Sequence, residues 1–103
     1  MNNYRKVKMT IMGKKYNLLI ANTHKKKKLG MKIFNEVPPN TGMIFTYSKP
    51  VKHSFTMVGV KFPLVIMFFD SRNNLIDVFD CRPGQKNIMP RKEFSYVIEI
   101  PKR

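Results

Sequence analysis

The chain has 103 residues, enough for one domain and too few for two. Its 20 Lys and Arg against 6 Asp and Glu give a formal net charge of +14, and 15 of the 20 cations are Lys. With 43% apolar residues and twelve Phe and Tyr, it is excluded from the class of disordered basic tails and reads as a folded domain with a positive surface.

The single cysteine, Cys81, excludes an internal disulfide and any clustered-thiolate zinc site. It falls in a strand-like apolar run, where a buried, inert thiol is expected. Met1-Asn2-Asn3-Tyr4-Arg5 leads into alternating residues, so no secretory signal is expected. The longest apolar run, Phe62 to Phe69, is eight residues and contains Pro63. A spanning helix needs roughly 20, so no membrane span is expected. The expected location is the cytoplasm or the inside of a viral particle.

Val7, Met9 and Ile11 alternate with Lys6, Lys8 and Thr10, the period of a half-buried strand. Gly13-Lys14-Lys15 supplies a turn, and Tyr16, Leu18 and Ile20 resume the alternation, which predicts a hairpin. Thr23 can cap a short helix reaching about Phe34, with Leu29 and Ile33 on one face. Pro38-Pro39-Asn40 ends that region and Gly42 opens the next strand. Met43, Phe45 and Tyr47 alternate until Ser48-Lys49-Pro50, read as a turn. Phe55 and Met57 mark another strand. Pro63 to Phe69 is nearly continuous apolar sequence, as in a strand covered on both faces. Asp70 to Asn74 is a turn in which the Asp70 carboxylate bonds backbone N–H groups. Leu75 to Cys81 is a strand, Arg82 to Lys92 a loop, and Phe94, Tyr96, Ile98 and Ile100 a last alternating strand. Glu99 points opposite to Ile98 and Ile100, toward a surface cation.

Together these predict a mostly β domain over 1–103. It is a small barrel or sandwich of six or seven short, mainly antiparallel strands, with one short helix near residues 24–34. Phe45, Phe55, Met57, Leu64, Phe68, Tyr96 and Ile98 are expected in one core.

From about Leu18 to Glu99 the chain resembles the domain of unknown function 192 (uncharacterised ACR). Thr23, Lys27 and Gly30-Met31 fall where that family has Thr, Arg and Gly-Leu. Gly42-Met43-Ile44-Phe45 looks like its Gly-Met-Leu-Phe, and Ser54-Phe55-Thr56-Met57 like its Ser-Phe-Trp-Met. Pro63-Leu64, Phe68 and Asp70 match its Pro-Leu-Asp-x-x-Phe-x-Asp, and Val97-Ile98-Glu99 its Val-Leu-Glu. The departures are polar: Thr56 replaces Trp, Val58 Lys, Gly59 Asn, Val60 Thr and Val65 Asp, while Lys32 and Phe34 stand where Met and Arg are typical. The resemblance therefore implies a β-rich scaffold with no agreed reaction. It also implies that this chain has lost most of any polar site the family has there. Relatives usually run beyond Pro101-Lys102-Arg103. Short relatives are encoded by bacteriophages, which a Lys- and Asn-rich composition suits, so a particle component is one expected role.

No catalytic residue, metal site or cofactor is expected. His24 and His53 are flanked by lysines, which oppose a cation, and the scattered glycines form no phosphate-cradling loop. The cations carry the strongest signal. The expected anion or nucleic-acid contacts are Lys14, Lys15, Lys25, Lys26, Lys27, Lys28, Lys49, Lys52, Arg91 and Lys92. Lys25 to Lys28 would oppose the dipole of the predicted helix, and Lys dominance favours charge contact over base reading. The expected function is a non-enzymatic structural or interaction protein. Its basic surface would dock to an acidic protein surface or a nucleic acid within a larger assembly, with no small-molecule substrate. The alternatives are a free, non-specific nucleic-acid-binding module, and a ligand-binding or enzymatic domain with a pocket near Phe55–Met57.

Overall fold

The computed structural model describes residues 3–102; Met1, Asn2 and Arg103, which belong to the readings of the two termini, lie outside them. Six strands form one mixed sheet: β1 (Lys6–Ile11), β2 (Lys14–Ala21), β3 (Thr41–Val51), β4 (Leu64–Phe69), β5 (Leu75–Cys81) and β6 (Phe94–Pro101). Their spatial order is β1-β2-β3-β6-β4-β5. The domain is mostly β, as expected, but the sheet stays open with β1 and β5 at its edges, so it is not a closed barrel. All pairings are antiparallel except β2 with β3. A parallel neighbour requires a crossover, and this one contains the helix α1 (His24–Leu29) followed by a 3₁₀ turn (Gly30–Ile33).

Local chemistry moves several boundaries. The first hairpin turns at Met12-Gly13, both with positive φ (51° and 78°), as a two-residue hairpin loop demands. Lys14 and Lys15 therefore begin β2 instead of forming the turn. Ser48-Lys49-Pro50 does not turn either. β3 runs through it, and its register with β6 shifts between Thr46 and Val51, an irregularity of the kind that accommodates a strand proline. Phe55 and Met57 form no strand; Phe55 makes one isolated antiparallel bridge to Ile88. Gly42 is needed where β3 meets β6, because a Cβ there would lie 2.5 Å from the Glu99 carbonyl oxygen.

The predicted single core is two. The larger cluster, on the helix side of the sheet, holds Phe45, Met57, Leu64 and Phe68, with Phe55 packed against it. The Phe68 ring meets the edges or faces of Phe55, Phe79 and Phe94 at 5.0–5.9 Å between centroids, in the tilted geometry aromatic quadrupoles favour. Ile98 and Tyr96 belong to a smaller cluster with Leu18, Met67 and Ile100, to which the helical segment contributes nothing. Successive side chains on β4 feed the two clusters in turn, so this strand is covered on both faces as its apolar run predicted. Phe94 joins the larger cluster, parting from Tyr96, Ile98 and Ile100 where the register is irregular.

Candidate functional site

The site is a cleft between the helical segment and the sheet. Thr23 caps α1 as its sequence indicates, accepting a hydrogen bond from the Lys26 backbone N–H at 3.2 Å. The helix lasts six residues and stops at Gly30, whose φ of 53° and ψ of −144° end the α-helical path. That break sends Met31, instead of the predicted Leu29 and Ile33, into the core; those two are about 40% exposed. In so short a helix Lys26, Lys27 and Lys28 occupy the last turn, where cations are favourable, so the predicted opposition to the dipole is largely offset.

Beneath α1 opens a cleft of about 590 Å³. Lys27, Lys28 and Lys32 come from the helical side, Phe45 and Tyr47 from β3, and His53 to Thr56 from the segment that follows. Glu99 of β6 also lines it. This glutamate is only 5% exposed, and it shares its sheet face with its cross-strand neighbours Met43 and Ile66. The expected surface ion pair does not form. Neither of the ion pairs among the described residues, Arg91–Asp77 and Lys102–Asp80, involves Glu99. Burial alone pushes its carboxyl up to about 8, the desolvation effect on an acid with no ion-pair partner among the described residues. Its neighbours respond: burial, then the Glu99 charge, pushes the Tyr47 phenol up to about 12. Burial followed by Glu99 and Asp80 pushes the Cys81 thiol up to about 11. Cys81 is buried, as predicted.

The walls are aromatic. His53 stacks on Phe55 at 5.3 Å and 9°, and Tyr47 meets His53 edge-on at 5.7 Å. The Lys27 ammonium sits 3.9 Å from the centre of the Tyr47 ring, a cation–π contact. Burial holds that ammonium below the usual lysine range.

The predicted cations divide into groups. Lys25 and Lys28 are exposed, and no described carboxylate reaches ion-pair distance of them. Lys26 is half-buried, donating to the Asn3 carbonyl at 2.6 Å with its ammonium 5.1 Å from the Tyr4 ring centre. Lys52 donates to the Arg91 carbonyl at 3.3 Å, which joins the end of β3 to the loop carrying Arg91 and Lys92. Arg91 is the least free, since its side chain pairs with Asp77 at 3.8 Å and its backbone N–H donates to the same carboxylate. Lys49 is exposed farther back on β3. Lys14 and Lys15 lie elsewhere. β2 runs parallel to β3 with Ala21 opposite Phe45, so they sit at the end of the sheet where β3 begins.

The sequence points to a pocket near Phe55–Met57, of which Phe55 and Thr56 line the cleft, but gives no direct sign of Glu99 and Tyr47 there. The available signal was Val97: an apolar residue on the second face of β6 marks that face as covered too, so Glu99 beside it is buried. Among the described residues no three His, Cys, Asp or Glu gather as a metal site. None of the described helices is long and apolar enough to cross a membrane.

A model of the family described as domain of unknown function 192, uncharacterized ACR, matches residues 7–103. No curated protein matches the chain. A solved protein of unknown function from Novosphingobium aromaticivorans is similar, with a TM-score of 0.78, 22% identity, and 95% of this chain and 73% of that one covered. A protein from Sinorhizobium meliloti assigned provisionally as a transcription regulator has a TM-score of 0.75 and 20% identity, over 95% of this chain and 79% of its own. At these identities the likeness is one of fold.

Proposed function

As the chain belongs to the uncharacterized domain of unknown function 192 family, we propose its role from its own charge: a non-enzymatic interaction module that docks to the phosphates of a nucleic acid within a larger assembly. The observation that carries this reading is the excess of cations without carboxylate partners, among them those of α1 and of the segment after β3. With 20 Lys and Arg and only two ion pairs among the described residues, Lys25, Lys28, Lys49, Lys52 and Lys92 project without carboxylate partners. Such an excess destabilises the folded chain by self-repulsion, and an anionic partner relieves it. Lysines act as mobile point charges, suited to phosphates and not to reading base edges in a duplex.

The test is the salt dependence of duplex DNA binding. Each phosphate neutralised contributes about −0.9 to the log–log slope. Changing Lys25, Lys26, Lys27 and Lys28 to Gln should make the slope shallower by about 2–4. Changing Lys14 and Lys15, at the other end of the sheet, should leave it nearly unchanged. An unaltered slope in the quadruple variant overturns the reading, and so does stronger competition by an acidic polypeptide than by DNA.

A further inference from the structure

We propose that the cleft beneath α1 is a receptor for an unpaired nucleotide, with the base between the aromatic wall and Glu99 and the phosphate at Lys27, Lys28 and Lys32. This rests on the phosphate-docking reading above and adds a second, distinct mode to it. Three features of the cleft narrow its ligand.

The first is Glu99. Glu99 is only 5% exposed yet lines the cleft, to which its oxygens keep some access, and no ion pair among the described residues offsets the cost of removing its carboxyl from water. A ligand presenting a polar edge to that depth removes the cost. The second is the charge around it. The other titratable groups lining the cleft are basic or a weak acid: His24, Lys27, Lys28 and Lys32 from the helical side, Tyr47 on β3 and His53 after it; Tyr47 and, at the end of β5, Cys81 feel the Glu99 charge. A cationic ligand is disfavoured there, and an anion is favoured at the lysine rim. The third is the aromatic wall, whose open ring is the exposed His53, backed by the stacked Phe55; Phe45 is buried beneath and one face of Tyr47 is covered by the Lys27 ammonium. Flat aromatic surfaces are what unpaired bases stack on, and about 590 Å³ lies within the range of small-ligand sites. A planar ring with a polar edge and a phosphate meets all three requirements at once.

The carboxyl also sets a base preference. Protonated, it offers a donor and an acceptor side by side, matching the ring nitrogen and amino group of adenine or cytosine. Ionised, it offers two acceptors and matches the paired donors of guanine. The preference should therefore move toward guanine as pH rises past about 8, while Tyr47 and Cys81, at about 12 and about 11, keep their protons.

The test compares a mixed-sequence single-stranded DNA, its duplex, and adenosine and guanosine 5′-monophosphates as competitors, at one salt concentration. The single strand should bind about tenfold more tightly than the duplex, by base stacking. Adenosine monophosphate should compete better than guanosine monophosphate at pH 7, with the difference shrinking at about pH 8.5, where guanine still keeps its ring N–H. Ser54→Leu, which narrows the cleft from an exposed position without adding a ring for bases to stack on, should weaken the single-strand preference and leave the duplex salt slope intact. Glu99→Gln should make the base preference independent of pH. Displacement of the strand by monophosphates identifies free nucleotides as ligands too; a strand that binds without being displaced identifies unpaired polymer as the source. Equal affinity for single strand and duplex overturns the cleft proposal, as does a preference that survives Ser54→Leu at full strength. These outcomes leave the duplex slope, and with it the phosphate-docking reading, to stand or fall separately.

Discussion

Glu99 and Asp70 show how differently two carboxylates of one chain are used. Asp70 opens a turn, where its side chain accepts from the backbone N–H groups of Arg72 and Asn74, each at 2.9 Å. The Asn74 backbone bond leads the effects that hold its carboxyl below the usual range. That role was legible because an Asp followed by Ser-Arg-Asn-Asn is turn chemistry with a local mechanism. The burial of Glu99 is not legible in the same way, because period-2 alternation says which face a side chain takes, not what covers that face. Its burial carries a sign that can be checked. Below about pH 4.5 the carboxyl is neutral in folded and unfolded chains alike, and burial adds no ionisation penalty. Between 4.5 and about 8 the unfolded chain ionises first, so stability falls as pH rises, and above about 8 the loss is complete. A shift of this size corresponds to on the order of 3–5 kcal/mol. Glu99→Gln cannot ionise. Thermal melts from pH 5 to 9 should show the wild type losing stability relative to the variant as pH rises. Parallel Tm profiles would mean that Glu99 is solvated in the folded protein.

At the scale of the element, strands legible from their own side chains matched closely, β5 to the residue. Those that depend on a neighbour did not. β3 reads as ending at Ser48-Lys49-Pro50, yet pairing with β6 carries it to Val51, because the register shift absorbs the proline. The helix was located by Thr23 and mis-faced at Leu29 and Ile33, since a period of 3.6 assumes an unbroken helix and Gly30 breaks this one. α1 buries no residue of its own, so its position over the cleft rests on its cap, on the Met31 anchor and on the Lys26 and Lys27 contacts. Thr23→Ala should cost about 0.5–2 kcal/mol. The loss should fall locally, as faster amide exchange at Lys26 and Lys27 with little change across β4 and β6. Uniform acceleration throughout the sheet would show instead that α1 unfolds only with the whole domain.

The whole molecule carries +14 on a body about 31 × 28 × 28 Å. Its charges therefore lie within a few Debye lengths of one another at physiological salt. Without a polyanion, self-repulsion opposes folding, and added salt should relieve it. Tm should rise on going from low salt to about 0.5 M sodium chloride, where the Debye length falls to a few ångströms. The Lys25–Lys28 Gln variant should start from a higher Tm and rise less. A Tm insensitive to salt would show that the cations are too dispersed to strain the fold, removing the energetic ground for an anionic partner.

The sequence by itself determined the mostly β class, most strand positions, the helix cap, the Asp70 turn and the basic exterior. Each follows from local periodicity, from a side chain bonding its own backbone, or from a count of charges. Only the tertiary structure decided the open sheet, the two clusters and the cleft with Glu99 among its lining residues. Those follow from which strands lie side by side: β6 sits between β3 and β4, with both of its faces covered. A residue's burial is set by neighbours distant in sequence, and one chain read in order does not contain that pairing.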